Sequence, residues 1–460
     1  MNYLKTIFMF AVTLATCAAQ ASTNHHVIVI TIDGFPAYEF ADPRTPVPNL
    51  RKLAARGVIG EGLKVSNPAV TWPNHTTIVT GVQPEKHSVL FNGALVRPGG
   101  EKPASVSGYF DKDDLVKAPT VYDFLHQRGY RTAGINWPCT RNAKTLDDNF
   151  PDVPQMIQYT TPRLLDELVR SGDLKVGSDV WFATKAGKER DDIWTAAACN
   201  SIKRLKPNIL FIHLLVVDGI QHRFGPESPE AYDALAHADN NVQKILDAVD
   251  AAGLRERTTL FIVADHGFEK VTKSIQANAV LRKAGLLEAR DDDSISRARV
   301  QAIPEGGSAF VYLNSPKTAD EDRLKVISLF EKHEGVSRII LPADYAKLGL
   351  PQPASNPQAP DLVLAAEGGY SFASGTGNAG ISKKDRTTGS HGYISDNPKM
   401  NAVFIAAGRG IERGRKVALV ENIDIAPTSA FLLGEKYPHG GGKILKQIFT
   451  AKFLSDDQRK

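Results

Sequence analysis

Three aspartates stand where a short apolar run ends, and they are the first residues here whose positions suggest chemistry. Asp33 follows HVIVITI, and Asp218 follows NILFIHLLVV. Asp265 follows TLFIVA and is itself followed by His266. A single Asp-Gly pair after a strand is more typical of a turn. Because ligands of parallel sheets collect at the carboxyl ends of the strands, three such segments predict a cluster of carboxylates at one sheet edge.

Two further histidines extend this cluster into a set of metal ligands. Asp218 and His222 are four residues apart in DGIQH, so a helical turn places both on one face, where they can hold one metal. His391 lies in the small-residue loop TGSHGY; alone, it would be interpreted as a surface histidine. Together, three aspartates and three histidines combine oxygen and nitrogen donors in a way that suits zinc.

Thr71 is the candidate nucleophile, in the stretch NPAVTWPNHTTIVTG of residues 67–81. Pro73 predicts that a helix begins near Thr71, where backbone N–H groups and the helix dipole favour an anion. A threonine hydroxyl needs a base or a metal to become a good nucleophile, and no charged residue is near it in the sequence. Taken alone, Thr71 would be a helix cap. Beside six candidate ligands, we interpret it as a hydroxyl activated by metal.

The elements that must position these residues are predicted by the apolar runs, which are rich in β-branched residues, as strands buried on both faces should be. These runs occupy residues 26–32, 208–217, 259–264, 361–365 and 401–406. Amphipathic stretches ending at Gly57 and Gly253 lie between them. The predicted fold class is α/β, a mainly parallel central sheet flanked by helices. Residues 285–350 lack the ligand pattern and are predicted to form a small inserted α+β subdomain.

The N-terminus predicts export. In residues 1–21 the only charge is Lys5, residues 7–15 are almost wholly apolar, and Ala-Gln-Ala follows at 19–21. This order is typical of a secretory signal peptide, and the apolar run is too short to span a bilayer. We expect a periplasmic or secreted protein whose mature chain has no transmembrane span. A lipid anchor through Cys17 is the disfavoured alternative.

Charge and cysteine content narrow the function further. The chain of 460 residues carries 55 basic and 51 acidic side chains with both signs interspersed. The sequence contains no basic arm of the kind that would indicate a nucleic-acid-binding surface. Without the signal peptide two cysteines remain, Cys139 and Cys199, and an exported protein can pair them in a disulfide. The sequence leaves that pairing open.

The ordered motifs resemble those of the alkaline phosphatase superfamily, and within it the nucleotide pyrophosphatase/phosphodiesterase branch. The motifs are Asp33-Gly34, Thr71-Trp72-Pro73-Asn74-His75, Asn92, Asp218-x-x-x-His222, Ala264-Asp265-His266-Gly267 and Gly389-Ser390-His391-Gly392. The resemblance runs from about residue 26 to about residue 435. It implies a catalytic domain over residues 22–460, an α/β sandwich, two zinc ions and a threonine nucleophile.

The resemblance also implies a role for each motif residue. The first zinc would be held by Asp33, Thr71, Asp265 and His266. The second would be held by Asp218, His222 and His391. Asn92 would donate to a phosphoryl oxygen together with the backbone N–H of Thr71. The expected reaction is hydrolysis of a small phosphate ester or nucleotide through a phospho-threonine intermediate.

The type of ester stays open at this point. The resemblance favours diesters, whereas a dianionic monoester needs added positive charge in the site. Arg141 and Lys144 follow the pocket-forming segment GINWP and are the candidate substrate-binding cations, although solvated surface charge is the favoured explanation of both. A metal-binding protein without turnover is the remote alternative, disfavoured because every position that the chemistry needs is filled.

Overall fold

The computed structural model of this protein describes residues 24–152, 157–175 and 179–457. The predicted signal peptide, residues 1–21, and Cys17 lie outside the described residues. Within those residues, no helix is both long enough and apolar enough to cross a membrane.

The strands form one large sheet and several small ones. Their bounds are β1 His26–Ile32, β2 Val58–Gly60, β3 Leu63–Lys64, β4 Ala94–Val96, β5 Ser105–Ser107, β6 Thr132–Pro138, β7 Asp148–Asp152, β8 Ile209–Leu214, β9 Thr258–Val263, β10 Glu269–Ile275, β11 Leu287–Ala289, β12 Ile295–Ala298, β13 Val300–Pro304, β14 Ser308–Leu313, β15 Val336–Ile340, β16 Leu362–Ala366, β17 Tyr370–Phe372, β18 Ile381–Ser390, β19 Phe404–Gly408, β20 Arg415–Val417 and β21 Val420–Glu421. The central sheet has eight strands in the order β20-β2-β19-β9-β1-β8-β6-β7.

The helices cover the faces of this sheet. Their bounds are α1 Ala37–Ala41, α2 Pro48–Ala55, α3 Thr71–Thr80, α4 Pro84–His87, α5 Lys112–Leu115, α6 Val121–His126, α7 Pro162–Ser171, α8 Asp179–Ala183, α9 Gly187–Arg204, α10 Val216–Phe224, α11 Pro229–Ala251, α12 Ala277–Lys283, α13 Ala319–Phe330, α14 Tyr345–Leu348, α15 Ile425–Leu432 and α16 Ala451–Asp457.

Most neighbours in the central sheet are parallel, which confirms the predicted fold class. β9, β1, β8, β6 and β7 run in one direction, so their carboxyl ends meet at one edge. Every residue of β1, β8 and β9 is buried, because helices cover both faces of the sheet. That burial accounts for the nearly continuous apolarity of the sequence there. β19, which contains the second half of the 401–406 run, is antiparallel to β9.

The apolar run 208–217 is divided between a strand and a helix, so its prediction as one strand was wrong beyond Leu214. β8 ends at Leu214, and α10 begins at Val216. The reason lies in α9, where the buried Asp191 carboxylate accepts the N–H groups of Leu215 at 2.9 Å and Val216 at 3.2 Å. An acidic group at these N–H donors stabilises a helix start.

A second, antiparallel sheet has the order β13-β14-β16-β15. The apolar run 361–365 belongs to it as β16, so the prediction that this run joins the central sheet was wrong. Its residues are fully buried against β14 and β15, which explains the same continuous apolar pattern. Residues 285–350 hold β11 to β15, α13 and α14, and β16 completes their sheet from beyond that range.

Candidate active site

Thr71 is the first residue of α3, and its hydroxyl does not cap the helix. The N-cap position belongs to Val70, whose side chain makes no capping bond, and α3 is buried along its whole length. Thr71 Oγ1 instead lies 3.4 Å from His266 Nε2. The hydroxyl therefore stands at a helix N-terminus and faces the predicted ligand cluster.

Asp33, Asp265 and His266 meet at the carboxyl ends of β1 and β9. His266 Nε2 lies 3.4 Å from Asp33 Oδ1 and 3.2 Å from Asp265 Oδ2. Gly34 holds the two loops together, since its N–H donates to Asp265 Oδ1 at 3.1 Å. Its φ of +66° and the ring of Phe268, only 2.7 Å from where a Cβ would lie, explain why glycine follows Asp33.

Asp218, His222 and His391 form a second, adjoining group. Asp218 and His222 both lie on α10, and His222 Nε2 is 3.3 Å from Asp218 Oδ1. His391 Nε2 reaches the same oxygen at 3.6 Å. The His391 ring stacks on that of His266 with centroids 3.8 Å apart. This stacking joins the second group directly to the first.

The ligand atoms of these residues fall into two overlapping triads. One consists of Asp218, His222 and His391, and the other of Asp33, Asp218 and His266, with the atoms of each triad within 4.8 Å of one another. Asp218 belongs to both triads. The structure thus brings all seven predicted residues into one site and places the Asp218 carboxylate between the two groups.

Three carboxylate oxygens in this site are buried without a hydrogen-bond partner among the described residues. They are Asp33 Oδ1, Asp218 Oδ1 and Asp265 Oδ2. Burial and the neighbouring carboxylates raise the pKa of Asp33, and burial raises that of Asp265 to about 6. Buried anionic oxygens are costly unless they are paired or coordinate a metal. Three such atoms converging beside imidazole nitrogens fit metal cations.

Two of the histidines, His266 and His391, are also in the state that metal ligation requires, whereas Asp218 raises the pKa of His222 against the effect of burial. Burial lowers the pKa of His266 to about 4 and lowers that of His391 well below its usual range. Both imidazoles are therefore neutral at pH 7, with a nitrogen lone pair able to bind metal. Zinc accepts this mixture of carboxylate and imidazole ligands.

Asn92 lies beside the start of α3. Its Oδ1 accepts the backbone N–H of Trp72 at 2.9 Å, and its side chain is exposed. Because the oxygen is used in that bond, the amide Nδ2 is the part of Asn92 that is left to donate. The first N–H of a helix, here that of Thr71, likewise has no acceptor within the helix. Two donors therefore stand next to the Thr71 hydroxyl.

Arg141 and Lys144 lie after β6, outside the two triads. Arg141 Nε donates to Asp111 Oδ1 at 2.6 Å, and its guanidinium lies 5.1 Å from the centre of the Tyr159 ring. Lys144 is exposed. The segment after β6 that contains both cations begins next to α3, since the Thr76 hydroxyl lies 3.6 Å from Cys139 Sγ.

His213 and His75 belong to the site, and neither was predicted to have a role. His213 Nε2 lies 2.9 Å from Asp33 Oδ2, a contact that orients that carboxylate. His75 Nδ1 donates to the backbone oxygen of Thr71 at 2.9 Å. Such partners behind metal ligands fix ligand orientation. For His213, the sequence signal was a histidine inside an otherwise apolar strand. In the structure, His213 is paired in register with Thr31.

The two described cysteines do not form a disulfide. Cys139 is buried beside Thr76, and Cys199 is half-buried beside the backbone oxygen of Lys244. Both are free thiols, which resolves the pairing that the sequence left open.

The family assignment follows from the sequence profile of the "Type I phosphodiesterase / nucleotide pyrophosphatase" family, which matches residues 27–394. The chain belongs to this family. The predicted resemblance is thereby confirmed, and the matched range contains every residue of the two triads. Membership makes this type I phosphodiesterase / nucleotide pyrophosphatase a hydrolase of a metal-dependent family.

Curated relatives of this phosphodiesterase family member cover most of the chain. The bis(5′-adenosyl)-triphosphatase ENPP4 of Bos taurus is 24% identical over 450 residues, covering 95% of this chain and 84% of its own. An uncharacterized pyrophosphatase/phosphodiesterase of Schizosaccharomyces pombe is 24% identical over 417 residues, covering 87% of this chain and 75% of its own.

Solved structures show the same fold. Murine ectonucleotide pyrophosphatase / phosphodiesterase 5 superposes with a TM-score of 0.67 at 18% identity, covering 92% of this chain and 100% of its own. An inactive threonine-to-alanine variant of that murine protein was solved in complex with AMP. It superposes with a TM-score of 0.67 at 17% identity, covering 93% of this chain and 100% of its own.

Proposed function

We propose that this phosphodiesterase family member is an exported two-zinc enzyme that hydrolyses phosphoric diesters and nucleotide pyrophosphates through Thr71. The observation that carries the proposal is the convergence of three carboxylate oxygens, which have no hydrogen-bond partner among the described residues, with a hydroxyl at a helix N-terminus. The bis(5′-adenosyl)-triphosphatase name of the bovine relative and the AMP complex of the murine structure support a nucleotide substrate. The signal-peptide pattern of residues 1–21 supports export.

We assign one zinc to Asp33, Thr71, Asp265 and His266 and the other to Asp218, His222 and His391. When bound, zinc supplies Lewis-acid stabilisation of charge on oxygen and lowers the pKa of a coordinated hydroxyl. Burial and the neighbouring carboxylates raise the pKa of Asp33. The positive charge of a bound metal would act in the opposite direction and lower that pKa. The carboxylates would then all be ionised.

The chain's own residues divide the reaction into two displacements. Thr71 Oγ1 attacks phosphorus, the bond from phosphorus to the leaving oxygen breaks, and the phosphoryl group remains on Thr71. A water then attacks phosphorus, the bond to Oγ1 breaks, and the Thr71 hydroxyl is restored. His75 holds the Thr71 backbone through its oxygen, and the start of α3 places N–H dipoles toward the anionic group.

Replacing Asn92 tests the donor role of its amide. We expect Asn92→Ala to lower kcat about 10²-fold, because one preformed donor to a developing charge typically contributes that much. Asn92→Asp keeps an oxygen to accept the Trp72 N–H but cannot donate when ionised, so it should be at least as impaired. Steady-state kinetics on both variants check this. Full activity in the aspartate variant would contradict the donor role and leave Asn92 only the task of holding Trp72.

The ester class is tested by comparing three substrates with the zinc-loaded protein. We expect bis(p-nitrophenyl) phosphate and a nucleoside p-nitrophenyl ester to be turned over faster than p-nitrophenyl phosphate. A preference for the monoester would overturn the diesterase proposal and assign a monoesterase of the same superfamily. Absence of turnover on all three, with zinc bound, would contradict the enzyme proposal itself.

Arg141 and Lys144 test the alternative monoesterase activity. We expect the double replacement by alanine to lower turnover of the monoester about tenfold more than that of the diester, because a dianion gains more from charged donors. The measurement is kcat/KM for both substrates. Lys144→Ala alone is the control, because it removes the exposed cation and leaves the pair of Arg141 and Asp111 in place. Equal effects on both substrates would remove the two cations from the site.

A further inference from the structure

A second cleft lies at the opposite edge of the central sheet from the candidate active site. Its volume is about 610 Å³, and its walls come from α2, α11, the start of β9 and the segment after β19. Thr258 begins β9 at this cleft, whereas Asp265 follows the other end of the strand. A strand of this length spans about 20 Å, so the cleft is separate from the carboxylate cluster.

Arginines dominate the charged lining of this cleft. They are Arg56, Arg255, Arg409 and Arg413. The one acidic lining residue is Glu256, and Arg255 is already paired with Asp250 outside the lining. Among the side chains that the structure describes, no ion pair reaches the other three guanidiniums. The lining of the cleft therefore carries more positive than negative charge, and three of its four guanidiniums make no ion pair among the described side chains.

Arg409 is the least exposed of the three guanidiniums that make no described ion pair. It is half-buried, and one guanidinium nitrogen donates to the backbone oxygen of Leu432 at 3.3 Å. Its guanidinium also lies 5.0 Å from the centre of the Phe453 ring. Burial lowers the pKa of Arg409 from its usual value. Withdrawing a cation from water is costly unless an anion compensates, and a bound anion would do so.

We propose that this cleft binds a phosphorylated small molecule. A phosphomonoester offers three acceptor oxygens and nearly two negative charges, which matches three guanidiniums better than the two oxygens of a carboxylate. Leu246, Val249 and Leu260 supply an apolar wall for the rest of the ligand. The volume is within the range of about 300–1,000 Å³ that is usual for small-molecule sites.

The test counts bound phosphate on the zinc-loaded protein by equilibrium dialysis with inorganic phosphate. We expect the Arg409→Gln, Arg413→Gln double variant to bind one phosphate fewer per chain than the unaltered protein. The control carries Arg323→Gln and Arg338→Gln, two arginines outside the cleft that are paired with Asp320 and Asp396, and has the same change of net charge. It should bind as the unaltered protein does. Both double variants should keep unaltered turnover of bis(p-nitrophenyl) phosphate.

Two further arms make the result decisive. Arg413→Gln alone removes an exposed guanidinium without disturbing the buried one, and we expect it to weaken phosphate binding at the cleft about tenfold. AMP replaces phosphate in a parallel dialysis; tighter binding of AMP at the cleft indicates a nucleotide-like ligand, and equal affinity indicates free phosphate. Equal phosphate and AMP counts in the unaltered protein and all three variants would overturn the proposal. Because the result is the difference in bound phosphate between the unaltered protein and the variants, it does not depend on the proposed catalytic function.

Discussion

Thr71→Ala should lose at least about 10⁴-fold in turnover while it stays folded, because the attacking oxygen is removed and the other metal ligands, Asp33, Asp265 and His266, remain. The hydroxyl makes no capping bond to α3, so its loss should cost only about 1 kcal/mol of the free energy of unfolding. Thr71→Ser keeps a hydroxyl with different rotamer freedom and should keep partial activity. The measurement is kcat for the three proteins at equal zinc content.

A threonine at the other end of the same helix provides the matched control. The Thr80 hydroxyl donates to the backbone oxygen of Thr76 at 2.7 Å, and Thr80 is buried, as Thr71 is. Thr80→Ala should therefore lower stability without lowering turnover. If Thr71→Ala kept near-normal activity, a water would attack phosphorus directly, and the nucleophile assignment would be wrong.

Asp218→Asn should have a comparably large effect, because Asp218 is the residue that both triads share. Removing its charge leaves His222 and His391 as the other members of one triad and weakens the other. We expect the zinc content to fall by half or more and turnover to fall at least about 10³-fold. The measurements are metal content by elemental analysis and kcat on the diester.

Asp239→Asn is the control for replacing a buried aspartate. The Asp239 carboxylate accepts the N–H groups of Asn49 and Leu50 at the start of α2, away from the site. This variant should lose stability and keep its zinc. Removing metal from the unaltered protein with a chelator should abolish turnover, and added zinc should restore it. Full zinc content in Asp218→Asn would contradict the assignment of that ligand.

The parts of the fold and site that could be predicted depend on local rules. Asp33 and Asp265 end strands whose parallel direction follows from their buried, β-branched sequences, so their meeting at one edge is a consequence of topology. Asp218 and His222 share a helical face because of their spacing. Thr71 begins a helix because Pro73 suits the first turn.

The remainder depends on contacts between distant segments, which no local pattern contains. The end of β8 at Leu214 is set by Asp191 on another helix. His213 orients Asp33 across two neighbouring strands. The run that forms β16 is as apolar as a central strand, but it pairs with β14 and β15 in a different sheet. Likewise, the pairing of Arg141 with Asp111 joins segments 30 residues apart.

The most direct test of the proposed mechanism is to trap the covalent intermediate. The zinc-loaded protein is mixed with excess diester, quenched in acid during turnover and digested, and the peptide containing residues 67–81 is analysed by mass spectrometry. We predict phosphate, or the retained half of the diester, on Thr71 in the unaltered protein and none in Thr71→Ala. Rapid turnover with no modified peptide, or modification at another residue, would contradict the account.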